Sequence, residues 1–281
     1  MRSVVLVGAG QMGRAALRLI NRTTCEVTAF ADNSKVLQGG TLCGLPILSV
    51  EEAAAQQPDV VLIAVAGEER TEQLRSQLRE LGCTSEIRTL AEYQQALDIR
   101  GAVFELLAER LAALPGDLAE LGVYQGEFAA RMSRCFPERK LFLFDTFEGF
   151  DAWDVSVETQ SGYSRAAEGD FADTSVELIL SKMTAPERVV VRKGYFPETI
   201  PEEETSFVLV SLDADLYEPT LQGLRYFYPR LVSGGVILLH DYQNARFSGV
   251  RAAVETFEKE CGRMLLLPVG DLHGTAMLIH P

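Results

Sequence analysis

The chain has 281 residues, 47% hydrophobic and 23% charged, a length that suits two domains and a composition that suits packed cores. That excludes a disordered tail, a collagen-like repeat and a disulfide-stapled miniprotein, and no apolar run approaches the roughly 18 residues that span a bilayer. Forty acidic against 26 basic side chains leave a net charge of −14, so neither nucleic acid nor an anionic membrane is an expected partner.

Residues 3–7 form a β-branched run that stops at Gly8-Ala9-Gly10-Gln11-Met12-Gly13. Ala15, Ala16, Leu19 and Ile20 then repeat at helical spacing. The glycine fingerprint therefore lies between a strand and a helix, where Gly8, Gly10 and Gly13 would let a phosphate approach the backbone and the helix N-terminus. Residues 27–32 read as a second strand ending in Asp32, 22 positions after Gly10 (32 − 10). An acid there is placed to grip ribose hydroxyls. Ser49 to Glu52 is a capping box opening a short helix. A third strand over 60–65 and a helix carrying Leu74, Leu78 and Leu81 complete a small Rossmann-like unit, assigned to residues 1–97. The motif V-G-A-G-Q-M-G, the F-A-D after the second strand and the C-G-L-P-I-L-S-V-E-E turn make it resemble the N-terminal domain of bacterial sugar acyltransferases. That resemblance implies a nucleotide-sugar ligand; a structural or dimerising role is the alternative.

Residues 98–116 are expected to form a helical linker, with a helix over 103–114. From 117 to 281 strands and helices alternate again, which demands a mostly parallel, doubly wound sheet. Strands are expected over 118–123, 141–144, 189–191, 207–212 and 236–239, with an antiparallel closing pair over 264–267 and 275–279. Helices are expected over 128–135 and 176–183, the second opened by a Thr174–Glu177 capping box, and around Leu221–Leu231 and Val250–Phe257. Residues 151–173 read as a long polar loop holding Trp153, the one tryptophan, a candidate for stacking on a sugar or the cofactor. Glu120, Asp145, Asp213 and Asp241 stand at strand C-termini, the edge where ligands bind in open α/β sheets. Four acids there would repel one another unless hydroxyls, a cationic ligand or a metal satisfied them.

The segment Ala119-Glu120-Leu121-Gly122-Val123-Tyr124-Gln125-Gly126 resembles motif I of class I S-adenosylmethionine-dependent methyltransferases, and most of all the macrocin O-methyltransferase family. Asp145 to Phe150, Gly169 to Ser175, Lys193 to Thr199, Leu212 to Thr220, Tyr228 to Gly235, His240-Asp241-Tyr242 and Gly249 to Arg251 match the same family in order. The resemblance implies a seven-stranded class I methyltransferase sheet and transfer of a methyl group to a sugar or polyol hydroxyl of natural-product or polysaccharide type, on a free sugar, a nucleotide sugar or a glycoside. It assigns Glu120, Gly122, Tyr124, Gly126, Asp145 and Gly194 to S-adenosylmethionine. It assigns Asp213 and Asp241 to a divalent cation, Mg²⁺, and Asp213 and His240 to catalysis. Family members often carry two adjacent acids where this chain has His240-Asp241, which leaves His240 open as a base, a water-mediated ligand or a packing residue. His273 is expected near the pocket rim.

Five dispersed cysteines without C-x-x-C spacing read as reduced thiols of a cytoplasmic protein, and residues 4–7 are too short to begin a signal peptide. An oligomer of identical chains is expected. Two other readings compete with the enzyme: a non-catalytic nucleotide-binding scaffold, and a nicotinamide oxidoreductase using Gly8 to Gly13.

Overall fold

A computed structural model describes residues 1–202 and 205–281. The chain divides into two units, Met1–Asp98 and Ile99–Pro281.

The first unit is built on strands β1 (Arg2–Val7), β2 (Cys25–Ala31), β3 (Thr41–Leu42), β4 (Leu45–Leu48), β5 (Val60–Ile63) and β6 (Glu86–Thr89). They form a six-stranded sheet in the order β3-β4-β2-β1-β5-β6, parallel except for the β3–β4 hairpin. Helices α1 (Gln11–Leu19), α2 (Val50–Ala55), α3 (Glu68–Glu80) and α4 (Leu90–Ala96) connect or follow the strands. Its core is the β-branched strand set, with Val5, Val7, Val61 and Ile63 sealed under Ala53, Leu74 and Leu78. The Ser49–Glu52 capping box forms as expected, and Thr89 with Glu92 forms a second one at α4.

The second unit opens with α5 (Ile99–Leu111). Residues 99–111 do not behave as a linker: Phe104, Ala108 and Leu111 are buried in the core of this unit beside Leu118, Val208 and Val236. Then follow β7 (Asp117–Leu121), α6 (Glu127–Cys135), β8 (Leu141–Asp145), α7 (Ala152–Ser161), α8 (Val176–Lys182), β9 (Val189–Lys193), β10 (Phe207–Leu212), α9 (Tyr217–Phe227), β11 (Leu231–Leu239), α10 (Ser248–Cys261), β12 (Leu265–Pro268) and β13 (Ala276–Ile279). The sheet has seven strands in the order β12-β13-β11-β10-β7-β8-β9, parallel from β11 to β9 and closed by the antiparallel pair expected at the C-terminus. β10 is buried along its whole length, as a central parallel strand covered on both faces must be. The order reverses at β7, so the C-terminal ends of β7, β8 and β10 border the crevice where such sheets take ligands.

Two local expectations change. Helix α8 is capped by Ser175, whose hydroxyl accepts from the Leu178 N–H, and not by Thr174. The stretch read as a loop contains α7, N-capped by Asp151 and closed by Gly162 in the left-handed conformation. Trp153 stands on that helix and is 64% exposed, so its ring is open to solvent. Among the described residues no helix is long and apolar enough to cross a membrane.

Candidate active site

β7 ends at Leu121, and the chain must turn at once to start α6. Gly122 makes the turn with φ 82°, and a Cβ there would stand 2.0 Å from the Asp213 carbonyl oxygen. Only glycine lets the two strand ends lie this close. Tyr124 and Gly126 also take positive φ, 48° and 79°, so the loop curls and Gly126 becomes the N-cap of α6. Asp145, the last residue of β8, holds the curl. Its Oδ2 accepts from the Val123 and Tyr124 N–H groups at 2.6 and 3.1 Å, and its Oδ1 from the Phe147 N–H at 2.7 Å. Gly194 donates its N–H to the Asp145 carbonyl at 2.9 Å. The Tyr124 side chain turns outward, its hydroxyl donating to Asp173 at 2.9 Å.

These residues line a cavity of about 410 Å³ together with Glu120, Asp213 and His240, a size suited to a cofactor or drug-sized ligand. Its wall is largely apolar but carries eight carboxyl side chains, and among the described residues Arg100 is the one arginine or lysine on it. Such a surface favours a cationic ligand.

Glu120 does not project freely into this space. It is 2% exposed, and its Oε1 accepts from the Ser211 hydroxyl at 3.0 Å. Burial pushes its carboxyl up to about 8, although Arg100 nearby pulls the other way. The folded chain therefore keeps this proton at a pH where the unfolded chain has lost it, and stability falls as pH rises from the ordinary value of 4.5 to about 8. Glu120→Gln, an isostere of the protonated acid, is expected to flatten that slope. In thermal melts it should match the parent near pH 5 and exceed it by about 4 °C or more at pH 8. Equal differences at both pH values would contradict the assignment.

At the far wall stand the acids of the β10 and β11 ends. One ligand atom each of Asp213, Asp215, His240 and Asp241 lies within 4.8 Å of all the others. Asp215 was not among the residues singled out from the sequence; it joins because the backbone turns at φ 58° after Asp213-Ala214, and Asp241 is turned back in the same way at φ 55°. His240 Nδ1 lies 2.9 Å from Asp213 Oδ1 and 2.9 Å from Asp241 Oδ2. Burial alone would lower the imidazole, but Asp213 and the two hydrogen bonds outweigh it and hold His240 up to about 10. The same contacts work on Asp213: burial would raise it, and His240 with Arg100 hold it well below the carboxylate range. Asp215, half-buried and facing Asp213 and Asp241, is pushed well above that range. Asn244 donates its side-chain amide to Asp241 Oδ1, and the His273 ring stacks on His240 with centroids 5.6 Å apart.

The donor set is three carboxylates and one imidazole. The carboxylate oxygens of Asp213, Asp215 and Asp241 suit a small divalent cation such as Mg²⁺, the ion that the family resemblance implies, while His240 keeps its Nδ1 on two of them.

In the first unit, Gly13 lets α1 pack against β1: a Cβ there would meet the Gly8 carbonyl oxygen at 2.0 Å. Asp32 reaches the loop, its Oδ2 accepting from the Ala9 N–H at 2.9 Å and its Oδ1 from the Ser34 N–H at 2.8 Å. Gly10 faces open space where a side chain would start. Gly8, Gly10, Gly13 and Asp32 thus gather at one sheet edge.

A crevice lined by a curled glycine loop, at the strand reversal of a seven-stranded mixed sheet, defines a methyltransferase-like α/β fold. The model of the macrocin-O-methyltransferase (TylF) family matches residues 91–277, well over half of the chain, and the chain belongs to that family. Residues 1–90 lie outside the match. Among curated relatives, the chain is similar to the 8-demethyl-8-(2,3-dimethoxy-alpha-L-rhamnosyl)-tetracenomycin-C 4'-O-methyltransferase of Streptomyces olivaceus, 26% identical over 58% of this chain and 65% of that protein. It is also similar to the mycinamicin III 3''-O-methyltransferase of Micromonospora griseorubida, 25% identical over 46% of this chain and 56% of that protein. The chain thus spans less than two thirds of these relatives' lengths. Among solved structures, the O-methyltransferase NovP shares the fold at a TM-score of 0.54 and 21% identity, over 65% of this chain and 79% of its own. The calicheamicin methyltransferase CalS11 does so at 0.51 and 21%, over 82% and 91%.

Proposed function

We propose that this protein is an S-adenosylmethionine-dependent O-methyltransferase whose acceptor is a sugar hydroxyl, on a glycosylated small molecule or a nucleotide sugar. The observation that carries the reading is a single cavity holding both the Asp145-pinned glycine loop and the Asp213–His240–Asp241 cluster. The family membership and the relatives named for methylation of sugar-bearing natural products support it. They give no support to a nicotinamide oxidoreductase or a scaffold.

When bound, S-adenosylmethionine supplies an electrophilic methyl group on a sulfonium. Asp145 is proposed to accept from the ribose hydroxyls with lone pairs left over from its backbone contacts. Gly122, Tyr124 and Gly126 would cradle the methionine portion, Gly194 would border the adenosine, and Glu120 would stand at the cavity wall beside them. A divalent cation held by Asp213, Asp215 and Asp241 would acidify a coordinated hydroxyl. His240 is proposed to take the acceptor proton at Nε2, since its Nδ1 faces the two carboxylates. Much of the acceleration would then come from alignment of acceptor and methyl donor.

An imidazole held at about 10 is protonated at neutral pH, and it works as a base only after losing that proton. The expected result is turnover that rises with pH while this ionisation limits the rate, and a cation on Asp213 and Asp241 would move the rise to lower pH. The assay is mass spectrometry of nucleotide sugars and glycosides incubated with the chain and S-adenosylmethionine, reading a methyl increment. A profile that falls as pH rises from 6 to 9 would rule out His240 as the base. Saturable cofactor binding with no methylated product across such a panel would overturn the acceptor class.

For residues 1–98 we propose a nucleotide site in which Gly10 admits the phosphates and Asp32 meets the ribose. Titration of the whole chain with uridine diphosphate is expected to show a second, independent saturable site, and its absence would leave the unit a structural one.

A further inference from the structure

Arg100 lies in the first turn of α5, outside every sequence motif, and reaches the cluster through Asp213. Its Nη1 donates to Asp213 Oδ2 at 2.8 Å and its Nη2 to the Ser211 hydroxyl at 3.0 Å. Ser211 passes the chain on to Glu120. The guanidinium carbon sits 4.2 Å from the centre of the Phe128 ring, and the side chain is 14% exposed. Two hydrogen bonds and a ring hold this group in one place, and with it one oxygen of Asp213. The other oxygen, Oδ1, faces His240 and the rest of the cluster.

We infer that Arg100 is a positioning residue that restricts Asp213 to a single ligating oxygen, and so selects Mg²⁺ over Ca²⁺. The inference rests on the reading of the cluster as a cation site. Mg²⁺ takes six oxygens in a tight octahedron, keeps several waters and is content with single carboxylate oxygens. Ca²⁺ takes six to eight oxygens at longer range and gains from carboxylates that bind through both. With Oδ2 bound to a guanidinium, Asp213 cannot offer the second oxygen. The planar fork matters as well as the charge, since it spans Asp213 and Ser211 at once; a lysine ammonium would act as a point charge.

The test is calorimetric titration of the whole chain with magnesium chloride and with calcium chloride, each alone, in the parent, Arg100→Gln and Ser211→Ala. Loss of a positive charge strengthens binding of both cations, so the quantity read is the ratio of their Kd values. The parent is expected to prefer Mg²⁺. Arg100→Gln should shift the ratio toward Ca²⁺ about tenfold, and Ser211→Ala, which loosens the fork without removing it, by a smaller factor in the same direction. Should Arg100→Gln fail to fold, Ser211→Ala decides alone. A ratio unchanged in the variants overturns the inference and leaves the cation site standing. A parent that binds neither ion overturns the cation reading and the inference together.

Discussion

Asp145→Ala is expected to reduce affinity for S-adenosylhomocysteine by at least about 100-fold. The carboxylate fixes the loop through the Val123, Tyr124 and Phe147 N–H groups, and in the proposed complex it also meets both ribose hydroxyls. Hydrogen bonds to a charged group contribute about 1.5–3 kcal/mol each, so two lost ribose contacts alone account for about 3 kcal/mol. Loss of the loop's anchor adds to that. Asp145→Asn can still accept through its amide oxygen and should fall between the two. The measurement is calorimetric titration with melting curves to confirm folding. A folded Asp145→Ala chain with parental affinity would remove Asp145 from the cofactor site.

Asp213→Asn tests the other wall of the cavity. It keeps the shape and hydrogen-bonding reach of the side chain but removes the charge that faces Arg100 and His240. S-adenosylhomocysteine affinity is expected to stay within about twofold, because the Asp145 loop is untouched, while turnover falls about 100-fold or more. Affinity for Mg²⁺ should fall in parallel. A variant that loses cofactor affinity and turnover equally would show that the two walls are not separate in function.

The parts of this site that lie close in sequence were legible there. Gly122, Gly126 and Asp145 belong to one strand–turn–helix–strand unit, a short segment that the methyltransferase motif covers, so the resemblance picked them out. Spacing picked out Gly8 to Gly13 and Asp32 in the first unit. Arg100 gave no signal, because its partners Ser211 and Asp213 lie more than a hundred residues away and only the folded sheet brings them together. Asp215 was hidden for a different reason: it lies past the end of β10, where strand alternation no longer fixes the direction of a side chain, and its place in the cluster depends on a turn with φ 58°.

Helix α7 shows where periodicity misleads. Its buried positions are Asp154 and Glu158, one turn apart, so its inward face reads as polar surface. The structure satisfies both acids in part. Tyr195 donates its hydroxyl to Asp154 at 2.8 Å, and the Tyr217 N–H donates to Glu158 at 2.6 Å. Burial still pushes Asp154 up to about 6, against the pull of the Tyr195 bond. An apolar-stripe rule has no means of finding a helix whose inner face is held by hydrogen bonds.

Residues 99–281 are proposed to bind S-adenosylmethionine in the Asp145 crevice. Titration of the whole chain with S-adenosylhomocysteine in Mg²⁺ buffer tests it most directly. One-to-one saturable binding in the micromolar range is the predicted result. No binding at millimolar ligand would contradict the account and leave the glycine loop of the first unit as the remaining ligand site.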